Sequence, residues 1–237
     1  MGGMIRWLQP DEPFPPAESA LTDPNGLLAA GADLSPQRLI DAYRHGIFPW
    51  FSDGQPILWW NPDPRMVLAP AEVRVTRSLA KVMRNGGFSA RADSAFRRVM
   101  QACAEPRDGQ DGTWITGDMI DAYCALHARG IAHSIEVWRD GELAGGLYGV
   151  ALGRMFYGES MFSRARDASK IALVELARHL ARHHFGLIDC QMHTAHLATM
   201  GAREMPRPAF MRKLAELVNY PQKPGPWILY DDADAEQ

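Results

Sequence analysis

Residues 145–163 read GGLYGVALGRMFYGESMFS, and residues 187–192 read LIDCQM. The first stretch alternates like a β-hairpin and carries one lone carboxylate, Glu159, among Met155, Tyr157, Met161 and Phe162. The second is a short apolar strand interrupted by Asp189 and Gln191. Residues two apart on an extended strand share a face. The spacing therefore predicts that Asp189 and Gln191 point together into whatever the hairpin lines. Polar groups isolated in apolar strands are costly unless paired or used. The two stretches together predict an apolar pocket with a few placed polar groups.

Working outward, the chain divides in two. Residues 1–65 are rich in Pro, Gly and aromatics, with one helix near Ser35–His45, where Ser35 is an N-cap, Pro36 the first helical residue and Gly46 a stop. The run Asn61-Pro62-Asp63-Pro64 is a natural boundary, because a residue before Pro is pushed out of the helical region. From residue 66 the pattern predicts a strand at Met66–Leu68, a basic helix at Ser78–Arg84, and helices at Asp93–Cys103 and Asp118–Arg129. A meander begins at His133, with Asp140-Gly141 as the turn between Ser134–Trp138 and Glu142–Leu152. A long helix, Ala168–His183, places Ile171, Val174 and Ala177 on one apolar face, widened by Leu173, Leu176 and Leu180. The strand Leu187–Met192 and a helix at Ala209–Val218 complete the set.

Composition narrows the class. No apolar run approaches the roughly 18 residues that span a bilayer, and the first residues lack the basic flank and apolar stretch of a signal peptide. Three scattered cysteines form no paired pattern, which suits a reducing cytoplasm. Net charge is only −3, but charge is segregated. Between Val73 and Val99 lie Arg74, Arg77, Lys81, Arg84, Arg91, Arg97 and Arg98 against only Asp93. Arg164, Arg166 and Lys170 form a second cluster, while the first 72 residues and Asp231–Glu236 are acidic. Screening confines electrostatics to roughly 8–10 Å, so a local basic stripe can hold phosphates whatever the total charge. An isolated charge run is more often a solvated helix face. Cys190, His193 and His196 lack the second ligand pair of a structural zinc site, so no metal is expected. Ser163, Ser169 and Cys190 have no legible His–Asp partner that would make any of them a nucleophile.

The chain resembles the leucyl/phenylalanyl-tRNA–protein transferase family from about Phe14 to about Phe210. The resemblance is carried by collinear segments, among them Pro24-Asn25-Gly26-Leu27-Leu28, Gly46-Ile47-Phe48-Pro49-Trp50-Phe51 and Pro62-Asp63-Pro64-Arg65. It continues through Thr113-Trp114-Ile115-Thr116, Gly158-Glu159-Ser160-Met161-Phe162-Ser163 and Asp189-Cys190-Gln191. Ala32 and Asn61 depart from it, where the family usually has Gly and Ser. The resemblance implies an α+β fold. A small N-terminal α/β domain (residues 1–65) would precede an acetyltransferase-like (GNAT-type) domain (66–237) with a mixed, mainly antiparallel sheet and flanking helices. The pyrophosphate loop of acetyl-CoA enzymes is absent, and Ser163–Asp167 takes its place.

The activity so implied moves Leu, Phe and, less well, Met from aminoacyl-tRNA to the α-amino group of proteins beginning with Arg or Lys, marking them for N-end-rule degradation. No cofactor is implied. The resemblance assigns Asp189 and Gln191 to the catalytic centre, with Glu159 near the donor's amino or ribose groups. It implies that Leu147, Phe156, Met161 and Ile188 contribute to an aminoacyl pocket, although such residues alone read as core. It implies that Trp50 and Trp114 contact the 3′-terminal adenosine, and that Arg77, Lys81, Arg84 and Lys170 hold tRNA phosphates. Two rival readings remain: a non-catalytic N-terminal recognition module and an acetyl-CoA-dependent N-acetyltransferase.

Overall fold

In the computed structural model, residues 5–106, 113–222 and 224–229 are described; the acidic residues from Asp231 onward lie outside them. The Pro- and Gly-rich first third forms a small sheet of short strands: β1 (Arg6–Leu8), β2 (Leu27–Gly31), β3 (Phe48–Pro49) and β4 (Leu58–Trp60). They lie in the order β1-β2-β4-β3. Between β2 and β3 runs helix α1 (Pro36–Arg44), with the Ser35 side chain accepting the Arg38 N–H at 3.3 Å. Ala32 adopts a φ of 60°, the left-handed conformation that Gly takes without a Cβ penalty.

From residue 65 the chain lays down a larger sheet. Its strands are β5 (Arg65–Leu68), β6 (Phe88–Ala92), β7 (Ala132–Arg139), β8 (Glu142–Leu152), β9 (Met155–Ser163), β10 (Leu187–Gln191) and β11 (Arg203–Met205), in the order β11-β5-β10-β9-β8-β7-β6. Only β9 and β10 pair in parallel, joined by helix α5 (Ala168–Arg182); the other neighbours are antiparallel. This meander–helix–strand order is the one a GNAT-type core implies. Helices α2 (Arg77–Asn85), α3 (Phe96–Ala104), α4 (Gly117–Ala128), α6 (Ala195–Thr199) and α7 (Arg207–Leu217) flank it. Thr76 caps α2 and Thr116 caps α4 through their side chains.

Burial follows the apolar periodicity. Ile171, Leu173, Val174, Leu176, Ala177 and Leu180 of α5 are all buried, in a cluster shared with Leu79 of α2. A second cluster is continuous between the two sheets: Leu39, Tyr43 and Trp59 pack in it with Tyr123, Tyr148, Tyr157 and Phe210.

Some elements differ from expectation. The helix expected from Asp93 starts at Phe96, because Asp93 has a φ of 55° and its carboxylate accepts the Ser134 N–H and contacts His133. Strand β6 occupies the stretch before it. The same carboxylate accepts the Trp227 backbone N–H at 2.6 Å. The Trp227 indole stacks on His133 at 3.8 Å and also meets the rings of His179 and Phe156, strapping residues 224–229 across the sheet.

Two irregularities shape the centre of the sheet. In β9, Gly158 pairs with Gly149 and Ser160 with Tyr148, leaving Glu159 as an extra residue. In β10, Asp189 pairs with Val67 but Gln191 with Met66, and Gln191 has a φ of 56°. The expectation that Asp189 and Gln191 share a face is thereby corrected: the bulge and the left-handed turn break the two-residue period between them.

Gly149 sits opposite the first bulge, and a Cβ there would lie 2.1 Å from the Tyr157 carbonyl oxygen and 2.6 Å from the Phe156 ring. Gly149→Ala should destabilise the protein by about 1–3 kcal/mol, read as a lower melting temperature. Gly117→Ala, where the added carbon meets nothing within 4 Å, is the control that should be close to neutral. Equal melting temperatures for the two variants would show that the close approach at the bulge is not a constraint.

Candidate active site

Asp189 does not line a cavity. Its side chain is 0% exposed and forms a two-pronged ion pair with Arg65, Nε to Oδ1 at 2.8 Å and Nη2 to Oδ2 at 2.7 Å. The Arg65 guanidinium lies over the rings of Phe48 and Phe210, 4.9 and 4.6 Å from their centroids. Asp189 Oδ1 also accepts the Gln191 backbone N–H at 2.9 Å. With its backbone so held, Gln191 sends its side-chain amide toward Glu159, Nε2 to Oε1 at 3.4 Å. The contact from carboxylate to glutamine thus runs through the main chain.

Glu159 is surrounded by phenols. Tyr43 of α1 meets Oε1 at 2.7 Å and Tyr123 of α4 meets Oε2 at 3.2 Å, and the two hydroxyls also meet each other, a ring of three contacts that two phenol protons and one carboxyl proton fill. Burial pushes the Glu159 pKa up and the Asp189 charge adds to this; the tyrosine hydrogen bonds and Arg65 oppose them, leaving a pKa of about 8. At neutral pH the group is therefore mostly an uncharged acid. Burial likewise raises the Tyr43 and Tyr123 hydroxyls well above their ordinary range. Burial, then the Asp189 charge, pushes the Cys190 thiol up, which leaves little thiolate to act as a nucleophile.

Glu159 and Gln191 open onto a cleft of about 870 Å³, within the size range of sites for small ligands. Leu147, Met161 and Ile188 line its apolar part, and Trp50 and Trp114 contribute another wall. Phe156, expected in the aminoacyl pocket, does not line the cleft. It is fully buried, paired with Ile188 across β9–β10 and packed against Trp227. Trp50 is 37% exposed and meets Trp60 edge-on, whereas Trp59 is completely buried with its indole N–H bonded to Gly31. Of these three indoles, Trp59 is core.

None of the expected phosphate residues lines this cleft, although Lys170 follows Ser169, which does. Arg77, Lys81 and Arg84 are exposed on α2, and among the described residues none has a carboxylate partner. Lys170 is paired with Asp167 at 2.9 Å, and Arg97, in the same basic run, with Asp121 at 2.8 Å. No group of three or more metal-ligating side chains occurs among the described residues, and no described helix is long and apolar enough to cross a membrane. Sequence reasoning missed Tyr43, Tyr123 and Arg65. Tyr43 lies 116 residues from its partner Glu159, and no local pattern announces that contact.

Comparison with known proteins gives concordant matches. The family model described as leucyl/phenylalanyl-tRNA protein transferase matches residues 67–215, and the model of that family's N-terminal domain matches residues 32–63. The leucyl/phenylalanyl-tRNA–protein transferase of Thiobacillus denitrificans is 70% identical over 214 residues, covering 90% of this chain and 94% of that one. The protein of the same name from Chromobacterium violaceum is 62% identical over 224 residues, covering 94% and 96%. Among solved structures, FemX superposes with a TM-score of 0.46 at 12% identity, covering 72% of this chain and 66% of that one.

The raised Glu159 pKa has a consequence for stability. The folded state holds this proton up to about pH 8, whereas an unfolded glutamate releases it near pH 4.3. The unfolded chain therefore binds fewer protons across that window, and this group's contribution to stability falls as pH rises through it. Glu159→Gln removes the titration. Its melting temperature relative to wild type should climb steadily between pH 5 and 8 (roughly the window set by the two pKa values). A flat difference over that range would mean that Glu159 titrates normally.

Proposed function

Because the chain belongs to the leucyl/phenylalanyl-tRNA protein transferase family and is an aminoacyltransferase, we propose that it moves Leu, Phe and, less well, Met from aminoacyl-tRNA onto proteins that begin with Arg or Lys. Formation of the new peptide bond would mark those proteins for N-end-rule degradation in the cytoplasm. The observation that carries this reading is the cleft itself. One opening brings together Gln191 and Glu159, an apolar wall of Leu147, Met161 and Ile188, and the indoles of Trp50 and Trp114.

The chemistry asks little of the protein. The donor ester is already activated, so no covalent intermediate is needed. The attacking α-amine has a pKa of about 7.7–8.0, so a fraction of it is neutral at pH 7. Holding amine and ester in contact supplies several kcal/mol by positioning alone. The Gln191 side-chain carbonyl accepts a hydrogen bond from the attacking amine, with Asp189 acting on it through the main chain; as the C–N bond forms, the ester C–O bond breaks and the amine's proton passes to the departing ribose oxygen. Glu159 sits near the donor's amino or ribose groups. Because it is mostly protonated at neutral pH, it does not trap the acceptor's ammonium in an unreactive ion pair. Trp50 and Trp114 stack the terminal adenosine, worth about 1–3 kcal/mol per base. Arg77, Lys81 and Arg84 meet phosphates of the tRNA body, and Lys170, near the N-terminus of α5, meets those of its acceptor end.

One assay tests the reading: single-turnover transfer from labelled leucyl-tRNA to an Arg-initiated peptide. Wild-type protein should form the dipeptide bond and release free tRNA. Absence of product with both leucyl and phenylalanyl donors would refute the reading. In the same assay, Met161→Ala enlarges the apolar wall and should shift the relative use of leucyl, phenylalanyl and methionyl donors by roughly 10-fold or less. Equal loss for all three donors in a folded variant would return Met161 to ordinary packing. Changing Lys81 and Arg84 together to Ala should weaken full-length tRNA binding and flatten its salt dependence, while sparing a short aminoacyl-adenosine donor. If the short donor suffers equally, α2 does not hold the tRNA body.

A further inference from the structure

We propose that Arg65 is a positioning residue of the peptide-bond-forming centre, holding Asp189 so that Asp189 in turn fixes the Gln191 main chain and aims its amide into the cleft. The proposal rests on the reaction argued above and adds to it a residue that never touches substrate. Arg65 and Asp189 have side chains 1% and 0% exposed. Desolvating two charges is expensive, and a buried pair is often no more stable than apolar residues of the same volume. Stability alone therefore does not account for this one; what the pair supplies is direction. The planar fork meets both carboxylate oxygens, which fixes the plane of the carboxylate as well as its place.

That plane matters because Oδ1 has a second bond to keep. It accepts the Gln191 N–H at 2.9 Å, at a residue whose φ of 56° is disfavoured for any side chain with a Cβ. This bond holds the left-handed turn, and the turn removes Gln191 from the strand's alternation and sends its side chain to Glu159. The guanidinium itself packs over two rings, Phe48 of β3 and Phe210 of α7. Phe48 lies two residues before Trp50 on the cleft wall. One side chain thus ties the small sheet, the last long helix and the reacting strand together. A lysine would keep the charge but lose the fork.

The test compares wild type, Arg65→Lys, Gln191→Ala and the double variant, with melting temperatures followed throughout. Arg65→Lys should lower the single-turnover transfer constant by roughly 10- to 100-fold, the scale of a displacement of about 1 Å in a reacting group. The dissociation constant for leucyl-tRNA should not change. In the Gln191→Ala background the same substitution should cost little more, because the residue it positions is already gone. Amide hydrogen exchange supplies a readout independent of activity: the Gln191 N–H should exchange slowly in wild type and markedly faster in Arg65→Lys. A folded Arg65→Lys variant with the wild-type rate constant overturns the proposal. So does a loss that persists undiminished in the Gln191→Ala background, or unchanged Gln191 exchange. If Arg65→Lys melts below the assay temperature, the comparison is made at a temperature below its melting point and read by the same criteria. Failure of wild type to transfer Leu or Phe would refute the function proposed above, and the exchange measurement would still decide whether Arg65 holds Gln191.

Discussion

A carboxylate buried away from water is costly unless a cation or hydrogen bonds meet it, and at Asp189 the cation that does so organises the middle of the molecule. The cation cannot come from β10 itself, whose neighbours there are apolar or carry no charge. It comes from Arg65, the first residue of the neighbouring strand β5, and lies over one ring from β3 and one from α7. The small sheet is therefore joined to the larger one through a cation–ring contact, Arg65 over Phe48, as well as through apolar packing. The candidate site depends on that junction, since Tyr43 reaches Glu159 from α1 and Trp50 reaches the cleft from the chain just after β3.

The fold was legible where periodicity is long. The meander from His133, its Asp140-Gly141 turn and the apolar face of α5 follow directly from alternation, turn chemistry and helical spacing. Strands β1, β3, β4 and β11, of two or three residues each, are too short to show a period. Strand β6 has a pattern only half apolar, because it is the edge of the sheet. Composition pointed to a pocket near Glu159, and the structure has one. The strand rule that placed Asp189 and Gln191 on one face failed because a rule of period two has no way to anticipate an inserted residue. Phenols and a guanidinium from distant elements also leave no mark near the residues they serve. The collinear segments did include Arg65 and Trp50, but membership in a segment does not say what a side chain touches.

Charge is arranged in two registers. Around Glu159, burial outweighs the hydrogen bonds that would favour ionisation, so the cleft carries less negative charge at neutral pH than its formula suggests. On α2 the cations stand in solvent with no carboxylate beside them among the described residues, although the chain as a whole is slightly acidic. Proximity to opposite charge, rather than the net sum, decides where a polyanion is drawn.

The Trp227 strap bears on how the protein matures during synthesis. Phe156 is the β9 partner of Ile188, which lines the cleft, and Trp227 meets the Phe156 ring in turn. Gly130 and Gly225 pass so closely that a Cβ on Gly130 would lie 2.1 Å from the Gly225 nitrogen, leaving no room for the strap to ride loosely above the sheet. A ribosome delivers these residues only after every strand of both sheets, and chains fold in the order in which they emerge. The backing of the pocket is consequently among the last parts to be set, and a nascent chain stalled before residue 224 would expose His133 and Phe156 to whatever binds unfinished proteins.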